Sequence, residues 1–117
     1  SEELDIRDVR PKYLHWNSGV ISAIGEFVAA SMREKGQDWQ IPVKTALSHS
    51  GNHAWRRDEA HWQGLITAGT QVLPRSLVRP QLRAYLKNLA ALPLTDGDNR
   101  NLGAIKERKE QLLAAIR

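Results

Sequence analysis

The chain has no cysteine among its 117 residues. This absence excludes disulfide bonds, thiolate metal ligands and a cysteine nucleophile. No apolar run approaches the roughly 20 residues of a membrane-spanning helix, and the acidic residues 1–5 do not resemble a signal peptide. We therefore expect no membrane partner and favour a cytoplasmic location, although the lack of cysteine does not by itself determine the compartment.

Patterns typical of catalytic and metal sites are also scarce. The eight glycines are scattered, so no glycine-rich phosphate loop is present, and serines adjacent in sequence to His49 do not make a catalytic triad. His49, His53 and His61 would share one face of a continuous helix and could bind a metal, but Gly51 is expected to interrupt that helix and no carboxylate clearly completes the set. The sequence favours a non-catalytic protein and predicts neither a cofactor nor a metal.

The composition is that of a folded domain. Hydrophobic residues make up 41% and charged residues 26% of the chain, so the chain can bury a core rather than remain disordered. Residues 1–16 have alternating blocks of acids and bases, with Pro11 disfavouring helix, and are predicted to form an extended arm. Residues 17–117 are predicted to form a single helical domain.

Apolar residues recur at helical spacing in four stretches. They predict helices over 18–35, over 53–71, from Pro80 towards Pro93, and over 99–116. Residues 37–50 are compatible with an extended segment or with a short helix that begins at Pro42. The fold class is therefore all-α: a four-helix bundle or a related small helical domain. The predicted core residues are Ile24, Phe27, Trp62, Ile66, Leu82, Leu86, Leu89, Leu102, Ile105 and Leu112.

Four basic residues recur at every fourth position: Arg75, Arg79, Arg83 and Lys87. Where the segment is helical, each lies about 40° beyond the last, so these residues form one slowly winding band mostly off the apolar stripe. No acid occurs over residues 60–95. Such a band is typical of an anion-binding surface, but also of an ordinary solvated helix face.

Basic residues outside the band also favour an anionic partner. Arg56 and Arg57 are candidates to extend the band, as are Lys106, Arg108 and Lys109. The formal net charge of +4 permits an anionic partner without requiring one. Guanidinium groups bind phosphates in bidentate geometry, so the first hypothesis is a non-catalytic module that binds nucleic acid, alone or within a larger assembly.

An apolar connection supports an alternative function. Leu73, Leu77 and Val78 lie in a segment, residues 72–79, that also carries arginines. If exposed, these side chains would suit a protein partner or a homo-oligomer interface. If buried, they would close one end of the helical core.

The four tryptophans also allow two interpretations. Trp16, Trp39, Trp55 and Trp62 are many for this length, and three of them closely follow a histidine. Aromatic rings can stack on nucleic-acid bases. With a single phenylalanine in the chain, tryptophan is also needed to fill the core, and we favour that role for Trp55 and Trp62.

Overall fold

A computed structural model describes residues 17–50, 60–68 and 71–115. Its α-helices are α1 (Ser18–Lys35), α2 (Gln40–Ser50), α3 (Arg75–Leu89) and α4 (Asp96–Ala115). The same ranges also contain two 3-10 turns, Gly36–Asp38 and Ala60–Trp62. They contain two short strands, β1 (Thr67–Ala68) and β2 (Gln71–Val72). The all-α class is confirmed, while the predicted arm 1–16 lies outside the described residues.

Helix α1 has the predicted bounds because strong local signals define both ends. The Asn17 side chain accepts hydrogen bonds from the Gly19 and Val20 amides at 2.9 and 3.3 Å, which caps the first turn. At the other end Gly36 has φ +55° and donates its amide to the Met32 carbonyl. This positive φ favours glycine, so the helix ends there.

Residues 37–50 were predicted to form either an extended segment or a short helix, and the structure shows helix α2 there. The segment is helical and begins at Gln40, so Pro42 lies in the first turn. Amides of the first turn have no partner within a helix, and proline therefore costs no hydrogen bond there. Pro42 and Ala46 are buried.

The helix predicted over 53–71 is wrong in the described part of that range. Residues 60–62 form a 3-10 turn, and β1 then pairs antiparallel with β2, with Thr67 opposite Val72. Gly64 has φ +85°, and a Cβ at this position would lie 2.6 Å from the Lys109 Cγ of α4. The backbone turns at Gly64 because only glycine combines this conformation with so close an approach. Residues 53–59 lie outside the described ranges.

Both later helices begin earlier than predicted. Helix α3 starts at Arg75 rather than near Pro80, since the Pro74 carbonyl accepts hydrogen bonds from the Leu77 and Val78 amides and so nucleates the first turn. Helix α4 starts at Asp96 rather than at residue 99, because Thr95 and Asp98 cap its first turn.

The helices pack around one core. Gly19 lies beside Arg75 and Val78, so α1 and α3 run in the same direction, whereas contacts of α4 near its start and its middle show that it is antiparallel to α3.

Of the ten predicted core residues, these six are buried: Phe27, Trp62, Ile66, Leu82, Leu86 and Ile105. These three are partly buried against them: Ile24, Leu89 and Leu102. Leu112 is only half-buried, because Ile105 is the last buried residue of α4.

One buried hydroxyl group is a site for stabilisation. Thr67 is fully buried, and its Oγ1 has no hydrogen-bond partner among the described residues. Because this hydroxyl has lost its hydration without compensation, we expect Thr67→Val to raise the free energy of unfolding by about 1 kcal/mol. Chemical denaturation measures this change. Thr45→Val is the matched control: exposed Thr45 donates to the Ile41 carbonyl, and no gain is expected.

Candidate functional site

Three of the predicted basic residues lie along the line where α1 and α3 pack together. The Arg75 Nη2 donates to Ser22 Oγ at 3.0 Å. Arg79 Nε lies 3.4 Å from Glu26 Oε2, and Arg83 Nη1 lies 2.5 Å from Glu26 Oε1. We call these five residues the α1–α3 seam. Tertiary packing thus joins the predicted band to a neighbouring helix.

The seam has more positive than negative charge. Its three arginines face one carboxylate, that of Glu26, which is shared between Arg79 and Arg83. The Arg75 partner is a neutral hydroxyl group. These ion pairs are partly exposed, so water screens them and leaves the guanidinium groups accessible to a further anion.

The fourth member of the band, Lys87, is not on the exposed surface. Its side chain is 12% exposed and that of Asp98 is 3% exposed, with Nζ and Oδ2 2.5 Å apart. Asp98 Oδ2 also accepts from the Thr95 amide at 2.9 Å, while the Asp98 amide donates to Thr95 Oγ1 at 3.0 Å. This reciprocal pair caps α4. Lys87 is therefore a structural cation, which corrects its placement in an exposed band.

The pKa of Asp98 reflects these contacts. Burial is the largest single influence and would raise the pKa. Hydrogen bonds from Lys87 and Thr95, together with the positive charge of Lys87, outweigh burial and hold the pKa below its ordinary value. The carboxylate is consequently ionised at neutral pH and needs its cation.

Two bases of α4 that were candidates to extend the band are also structural. Arg108 Nη1 donates to the Gly64 carbonyl at 2.8 Å and to Gln81 Oε1 at 2.7 Å. Lys109 Nζ donates to the His61 carbonyl at 2.9 Å, and burial lowers the pKa of Lys109. Lys106 is exposed. Arg56 and Arg57 lie outside the described residues.

Arg33, in the last turn of α1, was not predicted to belong to a site. Arg33 is exposed, and no ion pair joins it to a carboxylate among the described residues. It lines a cleft of about 310 Å³ between α1, α3 and the start of α4, which we call the Arg33 cleft. The other lining residues are Glu26, Ala29, Ala30, Arg83, Lys87, Thr95 and Asp98. Nothing in the spacing around Arg33 indicated this role, because the cleft exists only where three helices meet.

The apolar connection lies mainly against the core. Val78 is fully buried, and a Cβ placed on Gly19 would lie 3.2 Å from its Cβ. Leu73 packs against the core, and Leu77 is half-buried. Val78 therefore offers no exposed surface to a partner, and the expectation of an exposed apolar patch is corrected at this residue.

The described aromatic residues do not form an exposed stacking surface. Trp62 is fully buried, with the edge of its ring against His61. His61 Nε2 and Tyr85 Oη are hydrogen-bonded at 2.9 Å, and burial raises the pKa of Tyr85. Trp39 is half-buried. The remaining tryptophans, Trp16 and Trp55, lie outside the described ranges.

Residues 17–50, 60–68 and 71–115 contain no cluster of three or more acidic or histidine side chains able to hold a metal ion. Within the same ranges, no helix has the length and apolar character needed to cross a membrane. Comparison with known proteins found no matching family model, no similar curated protein and no similar solved structure.

Proposed function

We propose that this protein is a non-catalytic helical module that binds nucleic acid through the α1–α3 seam. The observation that carries the proposal is the charge balance of the seam, in which Glu26 serves two arginines and Arg75 has only a neutral partner. Phosphate oxygens supply the negative charge that this surface lacks. Arginine suits the task because its planar guanidinium group can bind two oxygens of one phosphate.

The geometry of α3 suits contacts with successive phosphates. Residues four positions apart are separated by about 6 Å along a helix axis, which is comparable to the spacing of neighbouring phosphates on one strand. Glu26 holds Arg79 and Arg83 in place before a ligand arrives, so less side-chain entropy is lost on binding. None of these contacts distinguishes between bases, and we expect binding with little sequence preference.

We expect Arg75→Gln combined with Arg79→Gln to weaken nucleic-acid binding and to lower its salt dependence. Each phosphate contact adds about 0.9 to the slope of log affinity against log salt for duplex DNA, so the slope should fall by about 2. Fluorescence anisotropy of a labelled oligonucleotide over a series of salt concentrations measures the slope. Glu26→Gln should strengthen binding, since removal of the charge that competes with phosphate outweighs the weaker positioning of Arg79 and Arg83 by a neutral amide.

The matched control is Lys44→Gln combined with Lys106→Gln. Both lysines are exposed, on α2 and α4 respectively, and the double variant has the same net charge as the seam variant. An equal fall in slope in the two variants would mean that only net charge matters and would contradict a role for the seam. No binding to duplex or single-stranded oligonucleotides at low salt would refute the proposed function.

The alternative function, protein interaction through residues 72–79, has less support. Val78 is buried, and Leu73 packs on the core. Large exposed apolar side chains lie instead on α1, α2 and α4, at Ile21, Met32, Ile41 and Leu113. Absence of nucleic-acid binding together with concentration-dependent mass in solution would favour this alternative.

A further inference from the structure

We propose that the Arg33 cleft receives the terminal phosphate group of a nucleic-acid strand. This inference rests on the proposed function and adds a specific ligand: a phosphomonoester at a strand end, in addition to the phosphodiesters that bind along the seam. The observations that carry it are the excess of positive charge in the cleft lining and the arginine that has no acidic partner among the described residues.

The cleft adjoins the seam. On the side of the seam, the Glu26–Arg83 ion pair spans the gap between α1 and α3. On the opposite side, Thr95 and Asp98 at the start of α4 line it. Because Arg83 belongs to both the seam and the cleft lining, the end of a strand bound along the seam can reach the cleft.

The size and floor of the cleft suit a compact group. Its volume of about 310 Å³ corresponds to about ten water molecules at roughly 30 Å³ each. A phosphate group with part of its sugar fits within that volume. Ala29 and Ala30 contribute small side chains to the wall formed by α1, so the side chains there do not fill the space.

The charges around the cleft favour a doubly negative ligand. Arg33, Arg83 and Lys87 line it together with Glu26 and Asp98, which leaves one positive charge in excess. Both carboxylates are already paired. A phosphomonoester has a second pKa near 6 and carries up to two charges at neutral pH, whereas a phosphodiester carries one. The cleft should therefore prefer a phosphorylated end over a hydroxyl end.

The first turn of α4 is not the source of this attraction. Thr95 and Asp98 already occupy its capping positions. Side-chain cations must supply the binding, and Arg33 is the one without an ion-pair partner among the described residues. The inference therefore assigns the preference for a phosphorylated end chiefly to Arg33.

The test compares single-stranded oligonucleotides of one sequence that have a phosphate or a hydroxyl group at the 5′ end and carry a fluorescent label at the 3′ end. A matching pair with the 3′ group varied and the label at the 5′ end shows which terminus is used. We expect one phosphorylated end to bind more tightly at pH 7.5, by about fivefold for each negative charge that the phosphate adds, since that is the effect of one charge roughly 4 Å from a guanidinium group in water. The preference should shrink at pH 5.5, where the monoester carries a single charge. Inorganic phosphate should compete for the Arg33 cleft, which reduces the preference for the phosphorylated end and leaves binding of the hydroxyl form unchanged.

Variants locate the effect. Arg33→Gln should abolish the preference and leave the affinity for the hydroxyl form nearly unchanged, while Arg33→Lys should retain part of it. Lys35→Gln is the matched control, since it removes one exposed charge two residues further along α1 without altering the cleft lining, and the preference should persist.

The outcomes separate the two proposals. Equal binding of phosphate and hydroxyl forms at both ends overturns the inference and leaves the proposed function intact. A preference that survives in Arg33→Gln also overturns it, since the phosphate then binds elsewhere. Absence of binding by every oligonucleotide contradicts the proposed function, and the inference fails with it.

Discussion

Replacing Lys87 by methionine is expected to lower the free energy of unfolding by about 3–5 kcal/mol. The Lys87 side chain is 12% exposed and its partner Asp98 is 3% exposed. Loss of the ammonium group leaves a nearly buried, ionised carboxylate without its cation, and that uncompensated charge accounts for most of the cost. Urea denaturation at pH 7, compared with the unmodified protein, measures the effect.

Adding Asp98→Asn to Lys87→Met should recover a large part of this loss. The asparagine carries no charge, and its side-chain oxygen can still accept from the Thr95 amide that now donates to Asp98. A double variant no more stable than Lys87→Met alone would show that the buried charge is not the cause of the destabilisation.

The same ion pair predicts a pH dependence in the acid range. The pKa of Asp98 is held below its ordinary value of 3.8, so the unfolded chain binds the proton more tightly than the folded one does. The contribution to stability is therefore present above the unfolded pKa and is lost as the pH falls through the folded pKa. Asp98→Asn should reduce the loss of stability between pH 5 and pH 2. Urea denaturation over this pH range measures the difference, and an equal loss in Asp98→Asn and in the unmodified protein would contradict the role of the pair.

The second large effect is expected in the core. Leu86 is fully buried on α3, so Leu86→Ala should lower the free energy of unfolding by about 2–5 kcal/mol through lost apolar burial and the cavity left behind. Leu113→Ala makes the same chemical change on α4 at a side chain that is 51% exposed, and it should alter stability by about 0.5 kcal/mol or less. Equal denaturation midpoints for these two variants would contradict the core assignment.

Local signals were sufficient wherever an element is defined by its own residues. Helix α1 was predicted with its observed bounds, because Asn17 caps it and Gly36 ends it. The early start of α4 also follows from local contacts, since Thr95 and Asp98 are three residues apart. A serine or threonine followed three residues later by an acid is a recognisable helix start, and this signal was overlooked when the helix was predicted to begin at residue 99.

The segment around Gly64 shows where periodicity failed. Trp62, Leu65 and Ile66 have a spacing that fits a helix, and all three are buried. Their burial instead follows from a 3-10 turn, the Gly64 turn and a short antiparallel pair of strands. Helical spacing over a few residues does not distinguish these structures, because every residue of a fully buried segment is apolar whatever its backbone conformation.

For the candidate site, the sequence predicted the charges but not their surroundings. The four-residue spacing of Arg75, Arg79 and Arg83 correctly placed them together, because all three are on one helix. It gave no indication that Glu26 pairs with two of them or that Arg33 faces the same cleft, since both residues belong to a helix about 50 positions earlier.

By itself, therefore, the sequence determined the all-α class, the extent of α1 and most of the core, since capping and apolar spacing act over a few residues within one element. Only the tertiary structure decided which cations remain available to a ligand. Lys87 and Arg83 have the same charge and lie four residues apart on α3, yet one is buried against Asp98 and the other remains partly exposed beside Glu26. The environment of a charge depends on which element packs against it, and that packing joins residues that are distant along the chain.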